Sequence, residues 1–264
     1  MFRPRIIPAL LLKDKGLVKT TGFSNPKYIG DPVNAVRIFN EKEADELVFL
    51  DIEISRESGN PEEKKFKKIE YELIQQISEE CLMPLSYGGG IQSIEQITRL
   101  FRIGIEKVII NTQAYEEPGF IREASKKFGS QSIIVAIDAK KIETGRYHLF
   151  THGGTRDTRV EVSSYAKQME EEGAGEILVN SIDQDGEMRG YEIDLIKRVT
   201  NAVSIPVIAC GGAGCLTHMY DTYVKGNVAA LAAGSLFVYH GKFRAVLINY
   251  PSRKMLEETF SSIG

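Results

Sequence analysis

One carboxylate in the chain is presented in a way that suits proton transfer. Ile133 to Lys140 reads IIVAIDAK, mostly β-branched apolar residues that lead to Asp138, so the acid emerges from the end of a buried strand. A carboxyl leaving such a strand into a site partly closed to water has its pKa raised and can serve as general acid or base. The plainer alternative is an acid that caps a loop or pairs with Lys140 or Lys13. Near the N-terminus, Ile6 to Lys13 reads IIPALLLK, and a constant offset of 127 positions pairs Ile6 with Ile133, Ala9 with Ala136 and Lys13 with Lys140. The same offset sets Leu11 against Asp138. One copy of the repeat therefore carries an acid, and the other a side chain that neither donates nor accepts a proton.

Two glycine clusters suit anions. Gly88-Gly89-Gly90 and Gly211-Gly212 with Gly214 each follow a short apolar run. Backbone without side chains there lets amides converge on a phosphate, aided by the next helix N-terminus; the alternative is that these glycines only make tight turns. Each cluster has small polar residues after the next run, Asn111-Thr112 and Gly234-Ser235. Two such sites on opposite rims suit an elongated ligand with a phosphate at each end. Further acids, Asp51, Asp183 and Asp185, are candidates for the same face as Asp138, and Lys19, in the glycine-containing loop 14–31, for closing over an anionic substrate. Four charges, Arg5, Glu46, Lys107 and Glu176, stand at run starts instead, where they form either a ring of salt bridges or ordinary surface pairs.

These residues need elements to position them, and short apolar runs alternate with amphipathic stretches as in repeated βα units. Strands are expected at Arg5–Leu11, Glu46–Asp51, Pro84–Tyr87, Lys107–Asn111, Ile133–Asp138, Glu176–Asn180, Val207–Cys210 and Ala229–Ala233. Helices are expected at Pro32–Lys42, Glu62–Glu80, Ile94–Ile103, Pro118–Phe128, Ser163–Glu172, Tyr191–Val199 and Thr217–Lys225. The halves match unit by unit: ELVFLD at 46–51 answers EILVNS at 176–181, and PLSYGGG at 84–90 answers PVIACGG at 206–212. Four βα units used twice predict an α/β fold, an eight-stranded parallel TIM barrel built from two similar half-barrels, over residues 1–264 as one domain. In that architecture the strand C-termini carry function and the strand starts carry stability. An open doubly wound sheet is the competing arrangement, but it does not require eight strands in two matching halves.

Composition excludes several other classes. The 264 residues are 42% hydrophobic and 26% charged with a formal net charge of -3, which gives no basic footprint for nucleic acid. Lys64, Lys65, Lys67 and Lys68 alternate with acids as a solvated helix face does. No run reaches the length of a membrane span, and the apolar stretch Ile6–Leu12, broken by Pro8, does not read as a signal peptide. Cys81, Cys210 and Cys215 have neither disulfide pairing nor zinc-site spacing. The expectation is a cytoplasmic protein with no metal and no cofactor.

The segments RIIPALLLKD, DELVFLDI, YGGGI, EKVIINT, IIVAIDAKK, GAGEILVNSIDQDG and IACGGAG, spread over roughly residues 3 to 240, resemble the HisF family, the cyclase subunit of imidazole glycerol phosphate synthase. In that family a glutaminase makes ammonia, which crosses the barrel to a bisphosphorylated substrate. The resemblance implies a HisH-like glutaminase partner and a phosphorylated small-molecule substrate. It implies a substrate- and phosphate-binding set of Lys19, Gly88, Gly89, Gly90, Asn111, Thr112, Ser181, Asp183, Asp185, Gly211, Gly212, Gly234 and Ser235, with Lys19 on a mobile loop. It also makes Arg5, Glu46, Lys107 and Glu176 the gate through which ammonia enters. The family's two catalytic aspartates fall at Leu11 and Asp138, and only the second is retained. Ala9 replaces a usual Cys, Asn180 a Thr and Cys210 a Ser, and the chain continues differently after Gly234. The combination is similar to HisF paralogues that work with a glutaminase and a separate sugar amidotransferase to make acetamidino sugars of surface polysaccharide. A true cyclase and a non-catalytic phosphosugar-binding scaffold are the other readings.

Overall fold

A computed structural model describes residues 3–53 and 68–261. Eight parallel strands form its centre: β1 Arg5–Lys13, β2 Leu47–Asp51, β3 Leu85–Gly88, β4 Lys107–Ile110, β5 Ile133–Lys141, β6 Glu176–Ser181, β7 Val207–Cys210 and β8 Ala230–Ala233. Each is hydrogen-bonded to the next, and β8 returns to β1, so the sheet closes and leaves no edge in the barrel wall. Strand pleating then sorts side chains by parity. On β1, Ile6, Leu10 and Leu12 pack outward into the helix layer, while Ile7 and Ala9 join Val48, Ile109, Ile134, Ala136, Leu178, Ile208, Ala230 and Ala232 in a second, interior cluster. The barrel centre is thus a narrow apolar column.

Helices Pro32–Glu41, Tyr71–Glu80, Ile94–Arg102, Gly119–Phe128, Val162–Glu171, Ile193–Thr200 and Leu216–Gly226 connect the strands. Local chemistry sets their starts. The Asp31 carboxylate accepts the Asn34 amide ahead of Pro32, and Ser93 with Gln96 forms a reciprocal capping box. The helix expected from Tyr191 begins at Ile193 instead, because Tyr191 is buried and its hydroxyl donates to the Ala232 carbonyl at 3.0 Å. The expected start at Glu62, with Lys64, Lys65 and Lys67, lies outside the described residues.

Two hairpins were not foreseen. Gly16–Thr21 pairs with Ser24–Gly30 after β1, and Tyr147–Thr151 pairs with Arg156–Glu161 after β5. They stand at corresponding places in the two halves, so the internal repeat extends beyond the strands. Both begin by folding back on the parent strand, with Leu11 opposite Val18 and Asp138 opposite Phe150. The segment around Lys19 is therefore a strand, which corrects its reading as a loop.

At the opposite end of the barrel the four charges form a closed ring. Arg5 reaches Glu46 at 2.6 Å and Glu176 at 2.7 Å, and Lys107 reaches Glu176 at 2.6 Å and Glu46 at 3.7 Å. The Ser86 hydroxyl donates to Glu46 at 3.0 Å. Glu46 is only 2% exposed, so its charge depends on these partners. Glu46→Gln is expected to lower stability by about 1–3 kcal/mol in urea denaturation, below the loss for a fully buried pair because Arg5 stays partly solvated.

Candidate active site

The strand C-termini open into a cavity of about 830 Å³. Leu11, Asp138, Asn180, Cys210, Gly88–Gly90 and Gly211-Gly212 line it, and Lys19 and Asp185 close one side; Gly214 of the second cluster is not part of the lining. Three of these residues lie in line across the sheet, since Asp138 is in register with Asn180, and Asn180 with Cys210. All three share the parity of the interior column, which places them where that column ends.

Asp138 is walled by protein yet faces the cavity. Burial disfavours its charged form and, with Asp185 nearby, pushes its pKa up to about 7, against the opposing hydrogen bond from Asn180 Nδ2 at 3.5 Å. An acid so placed exchanges protons near neutrality. The folded protein holds this proton more tightly than the unfolded chain, so the interaction costs stability as pH rises from the ordinary aspartate range through about 7. Asp138→Asn removes that cost. Thermal unfolding is expected to show the variant gaining on the parent protein at pH 8 and losing that advantage at pH 4.

Lys19 is 5% exposed, with its Nζ 4.0 Å from the Asp185 carboxylate and close against Gly234, where any side chain would collide with it. Asp185 also accepts from Thr20 Oγ1 at 2.6 Å and from the Phe23 amide at 3.1 Å, so it ties the hairpin over the barrel mouth. Cys210 is a neutral thiol: burial pushes its pKa up to about 12 although Lys19 pulls it down, so it is a poor nucleophile at neutral pH. Gly211 and Gly212 both have positive φ, and a Cβ on Gly212 would strike the Gly190 carbonyl.

The predicted residues do not all gather. Asn111 lines the cavity and donates to the Ala136 carbonyl at 3.0 Å, and Thr112 accepts the His152 amide at 3.1 Å. Ser235 also lines the cavity, with its Oγ buried and, among the described residues, without a hydrogen-bond partner. Ser181 faces away because it alternates with Asn180 along β6, and Asp183 turns to the outer rim to accept the Lys141 amide at 2.9 Å. Sequence reading passed over His152, which lines the cavity with its Nε2 3.5 Å from Glu116 Oε1. The Gly153-Gly154 pair after an apolar YHLF run was the available signal for a turn at that rim.

A closed barrel of two matching halves, with an ionic ring at one end and a proton-exchanging carboxyl in a glycine-rimmed cavity at the other, defines the class of protein. Histidine biosynthesis proteins are the family whose model matches residues 5–244. A Pseudomonas aeruginosa relative, provisionally named imidazole glycerol phosphate synthase subunit hisF2, is 49% identical over 97% of this chain and 99% of its own length. A Leptospira interrogans relative, provisionally named subunit HisF of the same synthase, is 48% identical over 98% of this chain and all of its own. A Vibrio vulnificus relative, provisionally named subunit hisF3, is 46% identical over 96% and 94%. The chain belongs to the histidine biosynthesis family and is a HisF-like member of it.

Proposed function

We propose that the protein is the synthase subunit of a glutamine-dependent amidotransferase pair, working in the cytoplasm. It takes ammonia from a HisH-like glutaminase docked at the ring of Arg5, Glu46, Lys107 and Glu176, and conducts it to the cavity. The observation that carries this reading is the intact ring and apolar column beneath a mouth that has Leu11 opposite its remaining acid. Neutral ammonia crosses an apolar column readily, whereas ammonium would lose its hydration there, so the column favours the reactive form. Leu11 argues against ring closure shared by two carboxylates and for amidation of a phosphorylated or sugar acceptor, with formation of an acetamidino sugar for surface polysaccharide as the specific task. A separate sugar amidotransferase would then act with the pair.

The test is a co-purified complex with its glutaminase, assayed with glutamine and with free ammonium. Lys107→Met is expected to cut glutamine-dependent transfer on the order of tenfold, the cost of about 1.4 kcal/mol of misaligned passage, while ammonium-dependent transfer holds. An equal fall in both would sink the conduit. The relatives' names and the two glycine-rimmed sites favour a second reading, a true cyclase subunit. It wins if the parent protein, given ammonium and the bisphosphate substrate of histidine biosynthesis, makes imidazole glycerol phosphate as fast as an authentic HisF.

A further inference from the structure

Asn180 is 7% exposed and lines the cavity. Its Nδ2 faces Asp138, while its Oδ1 is buried and among the described residues receives no donor. A buried carbonyl oxygen without a donor is costly, and in a folded protein it needs an explanation. Space beside it is kept open by the backbone: a Cβ at Gly211 would lie 2.8 Å from Asn180 Oδ1, and Gly211 has none. Directly below on β6 is Leu178, part of the apolar column, so the orphan acceptor stands where the column meets the cavity.

We infer that Asn180 Oδ1 and the Asp138 carboxylate form a receiving site for a small N–H donor, ammonia or ammonium, at the exit of the barrel interior. This rests on the proposed function and adds to it the residue that stops the nitrogen. The two groups present acceptors on neighbouring strands. Ammonia or ammonium donates to both and keeps a hydrogen to spare, and ammonium adds a positive charge that strengthens its bond to the carboxylate, which water lacks. Asn180 is thereby a positioning residue, which holds the nitrogen beside the group that exchanges its proton. The stretched 3.5 Å contact between the two side chains leaves them slack to adjust around a guest.

Binding can be read without any acceptor or glutaminase. Protein carrying carboxyl-13C aspartate is titrated at pH 8 with ammonium chloride, and with potassium chloride at matched ionic strength. The Asp138 carboxyl resonance, assigned from its loss in Asp138→Asn, is expected to move saturably with ammonium and not with potassium. Asn180→Leu should weaken the apparent affinity roughly tenfold or more, as loss of a hydrogen bond to a charged guest predicts. Asn180→Thr, which keeps an acceptor on a shorter arm, should fall between and covers the case in which the leucine variant does not fold. Equal shifts with both salts, no saturation, or unchanged affinity in both variants would each overturn the site. Failure here leaves glutamine-dependent transfer to be judged in its own assay, and failure of that transfer leaves bound ammonium in place.

Discussion

Leu11→Asp is expected to raise ammonium-dependent formation of imidazole glycerol phosphate by about 10²–10⁴-fold, the usual worth of a positioned general acid or base. Leucine and aspartate branch at the same carbon, so the substitution exchanges two methyls for two oxygens with little change of shape. Leu11 is 9% exposed and lines the cavity, so the new carboxyl would face the same space as Asp138. Its cost is desolvation, and two facing acids would hold each other's pKa up, so the variant should also be less stable at neutral pH. Leu11→Asn is the control, since it matches the shape and cannot ionise. The assay uses the bisphosphate substrate with product followed by chromatography. If the aspartate variant gains nothing over the asparagine one, position 11 is not what separates this barrel from a cyclase, and the changes at Asn180 and Cys210 have moved the site further than one residue can restore.

The strands and the ionic ring were legible because their signals are local and repeated. Runs such as IIVAID and EILVNS alternate inward and outward whatever their partners, and matching units in the two halves predict a barrel that closes. Arg5, Glu46, Lys107 and Glu176 stand at strand starts in the sequence and meet as a ring in the structure. The mouth was less legible. Lys19 reads as a loop residue because GLVKTTGFSNPKYIG mixes polar residues and glycines, yet it forms a hairpin held down by Asp185, a contact across 166 positions of chain that no local pattern reveals. Parity decides the rest: Asn180 enters the cavity and Ser181, its neighbour, cannot, although both belong to one recognisable segment. Asp183 and Asp185 lie beyond that strand, in the turn 182–187, so their hydrogen bonds rather than pleating part them: Asp183 takes the Lys141 amide, whereas Asp185 takes Thr20 and the Phe23 amide at the mouth.

Asp138→Asn is expected to lower transfer by about 10²–10⁴-fold under ammonium-dependent conditions, where delivery from the glutaminase plays no part. The direction of its pH dependence follows from where the carboxyl sits. With its pKa pushed up to about 7 by burial, Asp138 is half-ionised near neutrality, so at a fixed concentration of neutral ammonia a base accepting the proton of an incoming nitrogen gains activity as pH rises through about 7 and levels off above it. The asparagine variant should lose that limb as well as the rate, while its affinity for the proposed phosphorylated acceptor changes little. This split separates chemistry from binding: a fall in kcat with KM preserved places the residue in proton transfer, whereas a rise in KM alone would make it part of the substrate's seat. Retention of both the rate and the pH limb in the variant would remove Asp138 from the mechanism, and with it the interpretation of Leu11 as the lost half of a pair.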